Sequence, residues 1–215
     1  LVVSKQEDKM NAYRCLFTFA VVSLLLAAPA AASDSKELLA KIRTGKVVVH
    51  SIVNKKSGPK TGRAIAVVDA PPEVVAQIIG EIDRYPEFVP RCTDSRKVDP
   101  SRFVVFTRLP WPLKDTWAYI QLERRNQDGM RHLSWKMING TLRRYEGMAW
   151  VQPLGESRSV LTYQMLAVPV AGLAPDSLIT RGLRNAVKAM VKAVRKRAAK
   201  VMAQRPAPGA RVASK

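Results

Sequence analysis

The sequence predicts an α+β fold in which a curved antiparallel sheet wraps on one long C-terminal helix, with two short helices placed after the first hairpin. Three observations predict it. The stretch from Asp69 to Cys92 reads as two short helical turns set between strands. Six alternating segments separated by turn residues follow it. The chain then closes with a single helix-periodic segment from 176 to 204.

Taken in order, Val47 to Val53 and Arg63 to Val68 alternate as strands and flank a turn-rich Asn54–Gly62 connection, so they form a hairpin. Pro71 suits a first helical position, where a missing N–H costs nothing, and Glu73 favours the positive end of the helix dipole. Val74, Val75, Ile78, Ile79 and Ile82 then give one apolar face, and Tyr85-Pro86 is expected to stop that helix. Phe88 and Val89 supply the second turn, which Pro90 ends. Strands are predicted at 93–98, 103–109, 117–124, 132–138, 144–151 and 160–168, joined by short turns as an antiparallel meander. In the last helix Ile179, Leu183, Val187, Met190, Val194, Ala198 and Val201 recur every three or four residues. At 1.5 Å per residue it runs about 43 Å, enough to cross a whole sheet. It is the only element long enough to bury the sheet's apolar face.

The N-terminus has the layout of a secretory signal. Arg14 follows Met10, Leu16 to Ala28 is apolar, and Ala30, Ala31 and Ala32 offer an Ala-x-Ala site before Ser33. The apolar run is shorter than the ~20 residues of a spanning helix. Residues 1–9 read as sequence upstream of the true start, 1–32 as removed, 33–205 as one domain and 206–215 as a disordered basic tail. A periplasmic or secreted location is the expectation. Cys92 is then the only cysteine left, and is expected to be a buried structural thiol.

A formal charge of +19 permits nucleic acid, anionic lipid or an acidic partner, and export argues against the first. No acid lies between Asp176 and the C-terminus, so ion pairs within the last helix cannot account for its cations. No catalytic, phosphate-binding or metal-ligand motif is present. His50 and His132 are read as surface residues. No catalytic residue, metal or cofactor is expected.

Ala70-Pro-Pro-Glu-Val-Val, Ile82-Asp-Arg-Tyr-Pro-Glu-Phe-Val-Pro-Arg-Cys92 and Leu109-Pro-Trp-Pro-Leu-Lys-Asp115 carry a resemblance to the START-like superfamily with its helix-grip fold, over roughly residues 47–202. That superfamily includes polyketide cyclase/dehydrase, lipid transport and coenzyme Q-binding proteins. The resemblance implies an internal cavity for a hydrophobic ligand such as a lipid, isoprenoid or quinone. The exported leader departs from the coenzyme Q-binding branch.

On this basis the expected cavity lining is Ile79, Phe88, Trp117, Tyr119, Trp135, Met137, Met148, Trp150, Tyr163, Met165, Leu183, Val187 and Met190. Tyr119, Tyr145 and Tyr163 are candidates to orient a polar head group. Trp111, Leu173, Arg184, Lys188, Lys192 and Arg195 are expected to face an anionic membrane while a monomer exchanges cargo. Burying about ten CH₂ groups contributes ~8 kcal/mol, near micromolar affinity before ordering costs. Two other classes stay open: a cyclase/dehydrase- or hydrolase-type enzyme using the same cavity, and a toxin-like or RNA-associated basic module if the leader is not a signal.

Overall fold

The computed structural model describes residues 37, 40–53, 60–109, 114–170 and 175–204. The chain divides into two units, 1–40 and 41–215, and every element named below lies in the second. The expected signal peptide, the basic tail, Trp111 and Leu173 lie outside the described residues.

Eight strands form one antiparallel sheet: β1 (Val48–Val53), β2 (Lys60–Val68), β3 (Cys92–Lys97), β4 (Arg102–Thr107), β5 (Thr116–Gln127), β6 (Met130–Gly140), β7 (Arg144–Pro153) and β8 (Ser159–Val168). Their spatial order is β1-β2-β8-β7-β6-β5-β4-β3. A meander from β3 to β8 thus returns to pair with the first hairpin, as Ala64↔Tyr163 and Ala66↔Leu161 record. The β5–β6 turn is two residues long, with Asp128 and Gly129 both at positive φ (50° and 73°). That geometry matches the twist of the flanking strands and is where Asp-Gly is favoured.

Between β2 and β3 lie α1 (Pro72–Gly80) and a 3₁₀ helix (Ile82–Glu87). The sequence reading carried the first helix on to Ile82 and put the second turn at Phe88. The chain instead breaks at Gly80 and runs the second turn through Tyr85-Pro86. Side chains from elsewhere take the freed carbonyls: Tyr85 Oη donates to Ile79 O at 2.7 Å, and Arg124 donates to Gly80 O at 3.0 Å. These two bonds satisfy carbonyls that the helix end leaves without an intrahelical partner.

The long helix α2 (Asp176–Ala203) has 28 residues and spans about 42 Å. Its buried residues Leu183, Val187, Met190, Val191, Val194 and Ala198 pack on the face of the sheet that carries Ala64, Ala66, Ile120, Leu133 and Val151. Gly62 lets the helix approach β2, since a Cβ there would sit 3.0 Å from Leu183 O. The short helices close the C-terminal half of α2, where Arg197 pairs with Glu87 at 2.9 Å and lies over the Phe88 ring. A buried Ser159 Oγ donates to Ala70 O at 2.6 Å and ties β8 to the start of α1.

Asp99 organises the β3–β4 turn. Its carboxylate accepts from Ser101 N (2.8 Å), Arg102 N (2.9 Å) and Ser101 Oγ (3.0 Å), and pairs with the Arg102 guanidinium. The Ser101 backbone bond, with the Arg102 and Ser101 side chains adding to it, holds this carboxyl down to about 2. A folded value below the unfolded one means that Asp99 stabilises the protein above the ordinary carboxylate range and loses that contribution as pH falls toward 2. A carboxyl chemical-shift titration should therefore show a midpoint near 2 for Asp99. A midpoint at the ordinary aspartate value contradicts the turn as described.

Candidate functional site

Register decides which side chains meet α2. The paired rows Gly62–Met165–Gly147–Trp135–Leu122 and Ala64–Tyr163–Ala149–Leu133 lie on the concave, helix-facing side. Trp135 is 6 % exposed, and its ring lies directly across Gly147. Its centroid is 5.2 Å from that of Tyr163 at an interplanar angle of 31°. Met137, Met165 and Tyr145 are half-buried against the same core, as are Tyr85, Phe88 and Cys92 from the segment after α1.

Three tyrosines cluster on this side, and one of them, Tyr145, lines a pocket together with Met137. Burial pushes the Tyr145 phenol up to about 12 and the Tyr85 phenol well above its ordinary range, so protein surrounds both. Both nevertheless keep accessible surface. Tyr163 is 4 % exposed and its phenol is also raised, first by burial and then by Tyr145 and Tyr85. These three rings with Cys92 are close enough for each charged form to repel the next. The Cys92 thiol is pushed up to about 11 by burial and then by Asp94, which keeps it neutral and inert at ordinary pH.

Two polar features complete the recess. Trp135 Nε1–H is buried and closes no hydrogen bond of good geometry, although it leans toward Tyr145 and pulls that phenol down against the larger effect of burial. At the rim, a pocket of about 250 Å³ is lined by Lys136, Met137, Arg143, Arg144, Tyr145 and Glu146. A second hollow of about 220 Å³ lies between α1 and the far ends of β5 and β6, lined by residues including Gln77, Glu81, Arg124 and Arg131. Arg124 is there already committed to Gly80 O and Pro100 O.

The structure corrects four of the expected lining residues. Trp117 pairs with Phe106, Tyr119 with Val104, Met148 with Ser134 and Gln164, and Trp150 with His132 and Thr162. All four stand on the convex face. Small residues hold the concave positions beside them: Ala118, Gly147 and Ala149. The reason is volume, because the concave face must leave room for Trp135 and Tyr163. Trp150 stacks instead against His132 at 5.5 Å, and Arg96 lies over Phe106. Ile79 and Val187, at 1 % and 0 % exposed, are sealed in the core with Leu183 and Met190 beside them. Trp135, Met137, Tyr163, Met165 and Phe88 do gather with the recess.

Among the cations expected to dock, Arg184, Lys188 and Lys192 are exposed on α2. Arg195 is not free to do so. It donates to Val67 O at 2.7 Å and to Gly45 O at 2.8 Å, pinning the edge of β2. Tyr85 is the recess residue that sequence reasoning missed, having been read only as a helix stop. A signal for Gly147 did exist, since glycine inside a strand marks a close approach.

A curved sheet gripping one helix around a recess of phenols, indole and thioethers defines a class: the helix-grip fold. The chain matches the polyketide cyclase/dehydrase and lipid transport family over residues 68–195, more than half its length, and belongs to that family. Solved structures agree in fold. A STAR-related lipid transfer protein from Xanthomonas axonopodis superposes with a TM-score of 0.62 at 16 % identity, covering 71 % of this chain and 93 % of that one. A START superfamily protein from Mycobacterium smegmatis gives 0.58 at 13 %, covering 66 % and 98 %. The Zhui aromatase/cyclase from Streptomyces sp. R1128 gives 0.53 at 13 %, covering 66 % and 94 %. No curated protein matches this sequence.

Proposed function

We propose that this chain holds the hydrophobic part of a lipid-class molecule in the concave recess and carries or sequesters it beside a membrane, after export through its N-terminal signal. The observation that carries this reading is the pocket of about 250 Å³ at the end of the concave face, whose inner wall is Met137 and Tyr145. Methionines 137 and 165 adapt to irregular ligand shapes. Carriage is favoured over catalysis by the chemistry of the lining. The Tyr145 phenol stays protonated until about pH 12 and cannot serve as a general base at neutral pH. Both histidines lie on the convex face: His50 opposite Arg63, and His132 against Trp150.

The test is native mass spectrometry of the protein purified without detergent, with extraction of whatever accompanies it. A co-purifying or exchangeable apolar molecule, displaced when Trp135→Ala empties the wall, is the expected result. A protein that takes up no alkyl, isoprenoid or polyketide probe at all overturns the reading.

For the membrane step, the exposed cations Arg184, Lys188, Lys192, Lys196 and Lys200 follow one another at four-residue spacing on α2. Like charges so placed repel along the helix, and an opposing anionic surface relieves that repulsion. Near such a bilayer each contributes about 1 kcal/mol within a Debye length of about 8 Å. Reversing Arg184, Lys188 and Lys192 to Glu should therefore weaken co-sedimentation with anionic vesicles by on the order of a hundredfold. Binding that is indifferent to the triple substitution and to salt removes the docking face from the proposal.

A further inference from the structure

A pocket of about 250 Å³ lies at the junction of β6 and β7 and shares Met137 and Tyr145 with the concave face. Met137 and Tyr145 form its inner wall and belong to the concave face, while Lys136, Arg143, Arg144 and Glu146 form its lip. Arg143 is held at the mouth by its own backbone, whose N–H donates to Val168 O at 2.9 Å.

The polar groups here are unbalanced. Glu146 is the one carboxylate of the lip, and Arg144 already occupies it at 2.6 Å. Lys136 and Arg143 have no acidic partner among the described residues. Deeper in, the Trp135 Nε1–H is more than nine-tenths buried and leans toward the Tyr145 phenol without closing a hydrogen bond of good geometry. The charge that stays unanswered is therefore at the lip, where two cations face a single carboxylate that is already taken. The lip of this pocket is rich in donors, with Lys136 and Arg143 both uncommitted to any carboxylate among the described residues. Such a site complements a ligand whose polar end only accepts.

Resting on the carrier reading above, we infer that the cargo is a single-chain amphiphile with an anionic head, carboxylate or phosphate. The head sits between Lys136 and Arg143 and the chain runs inward past Met137 and Tyr145 toward Trp135. A neutral sterol, quinone or alcohol would leave the lip cations unanswered. A quaternary ammonium head would be repelled.

The experiment uses the full chain and four probes of one chain length: hexadecanoate, hexadecyl phosphate, hexadecanol and hexadecyltrimethylammonium. Each competes with a neutral fluorescent alkyl probe at pH 8. The expected result is that at least one of the two anions binds tenfold or more tighter than hexadecanol, the cation being weakest. Which anion leads separates a fatty-acid head from a phosphate head. In Lys136→Glu/Arg143→Glu, a surface change, that preference should vanish while hexadecanol affinity stays within about twofold. Hexadecanol binding as well as the anions, or a preference that survives both substitutions, overturns the inference and leaves the carrier reading standing. Failure of all four probes to bind overturns the inference, and the carrier reading falls with it only when isoprenoid and polyketide probes fail as well.

Discussion

Replacing Gly147 with valine should lower Tm by about 2–12 °C and close the recess. A Cβ at this position would lie 2.2 Å from Trp135 Cζ2 and 2.5 Å from Gln164 O. The second contact is to the backbone of β8, so rotating the tryptophan relieves only one of the two. Overpacking of this kind costs about 1–3 kcal/mol or more, and 1 kcal/mol corresponds to about 2–4 °C for a domain of this size. The recess is affected as well, because a displaced indole swings into the space that Tyr145 and Met165 border. Thermal unfolding with and without Trp135→Ala gives a double-mutant cycle, in which the two positions should couple by about 1 kcal/mol or more. Additive effects, or a Gly147→Val protein as stable as the parent, contradict the flat packing of Trp135 over β7.

Arg195→Leu should cost about 1–3 kcal/mol, whereas Lys192→Leu one turn away should stay within about 0.5 kcal/mol. The guanidinium of Arg195 spans two carbonyls from different segments, Val67 O and Gly45 O. Val67 is buried, so water cannot replace the donor it loses. Lysine should not rescue the loss. A single ammonium lacks the fork that reaches both acceptors at once. Burial lowers the Arg195 pKa, with the nearby Asp69 acting in the opposite sense, yet arginine remains charged at any pH at which the protein is folded. Denaturant unfolding of the three variants checks this. An Arg195→Leu protein that is fully stable but binds anionic vesicles poorly would return this residue to the docking face.

Much of the architecture was legible locally. The turn signals at Asp99-Pro100 and Leu154-Gly155 separate strands where the structure places them, because those residues accept backbone geometries that interrupt a ladder. Of the signal Asn126-Gln-Asp-Gly129 only Asp128-Gly129 turns, and β5 runs on to Gln127. The 3.6-residue period of Leu183, Val187, Met190 and Val194 marked the buried stripe of α2 correctly. The site was less legible. Trp117, Tyr119, Met148 and Trp150 looked like cavity lining because bulky apolar residues usually face a core. In β5 and β7 the concave positions belong to Ala118, Gly147 and Ala149, and the bulk lies outward. A period of two tells which residues share a face and nothing about which face meets the helix.

The sequence by itself determined the order of elements, the apolar stripe of the last helix and the alternation within each strand, since these follow from backbone geometry over a few residues. Only tertiary structure decided which side of each strand is concave, that Arg195 pins an edge instead of facing a membrane, and that Tyr85 caps α1 while bordering the recess. Those choices depend on partners far away in the chain, such as Arg195 and Val67, whose meeting is set by strand pairing and by volume shared across the sheet.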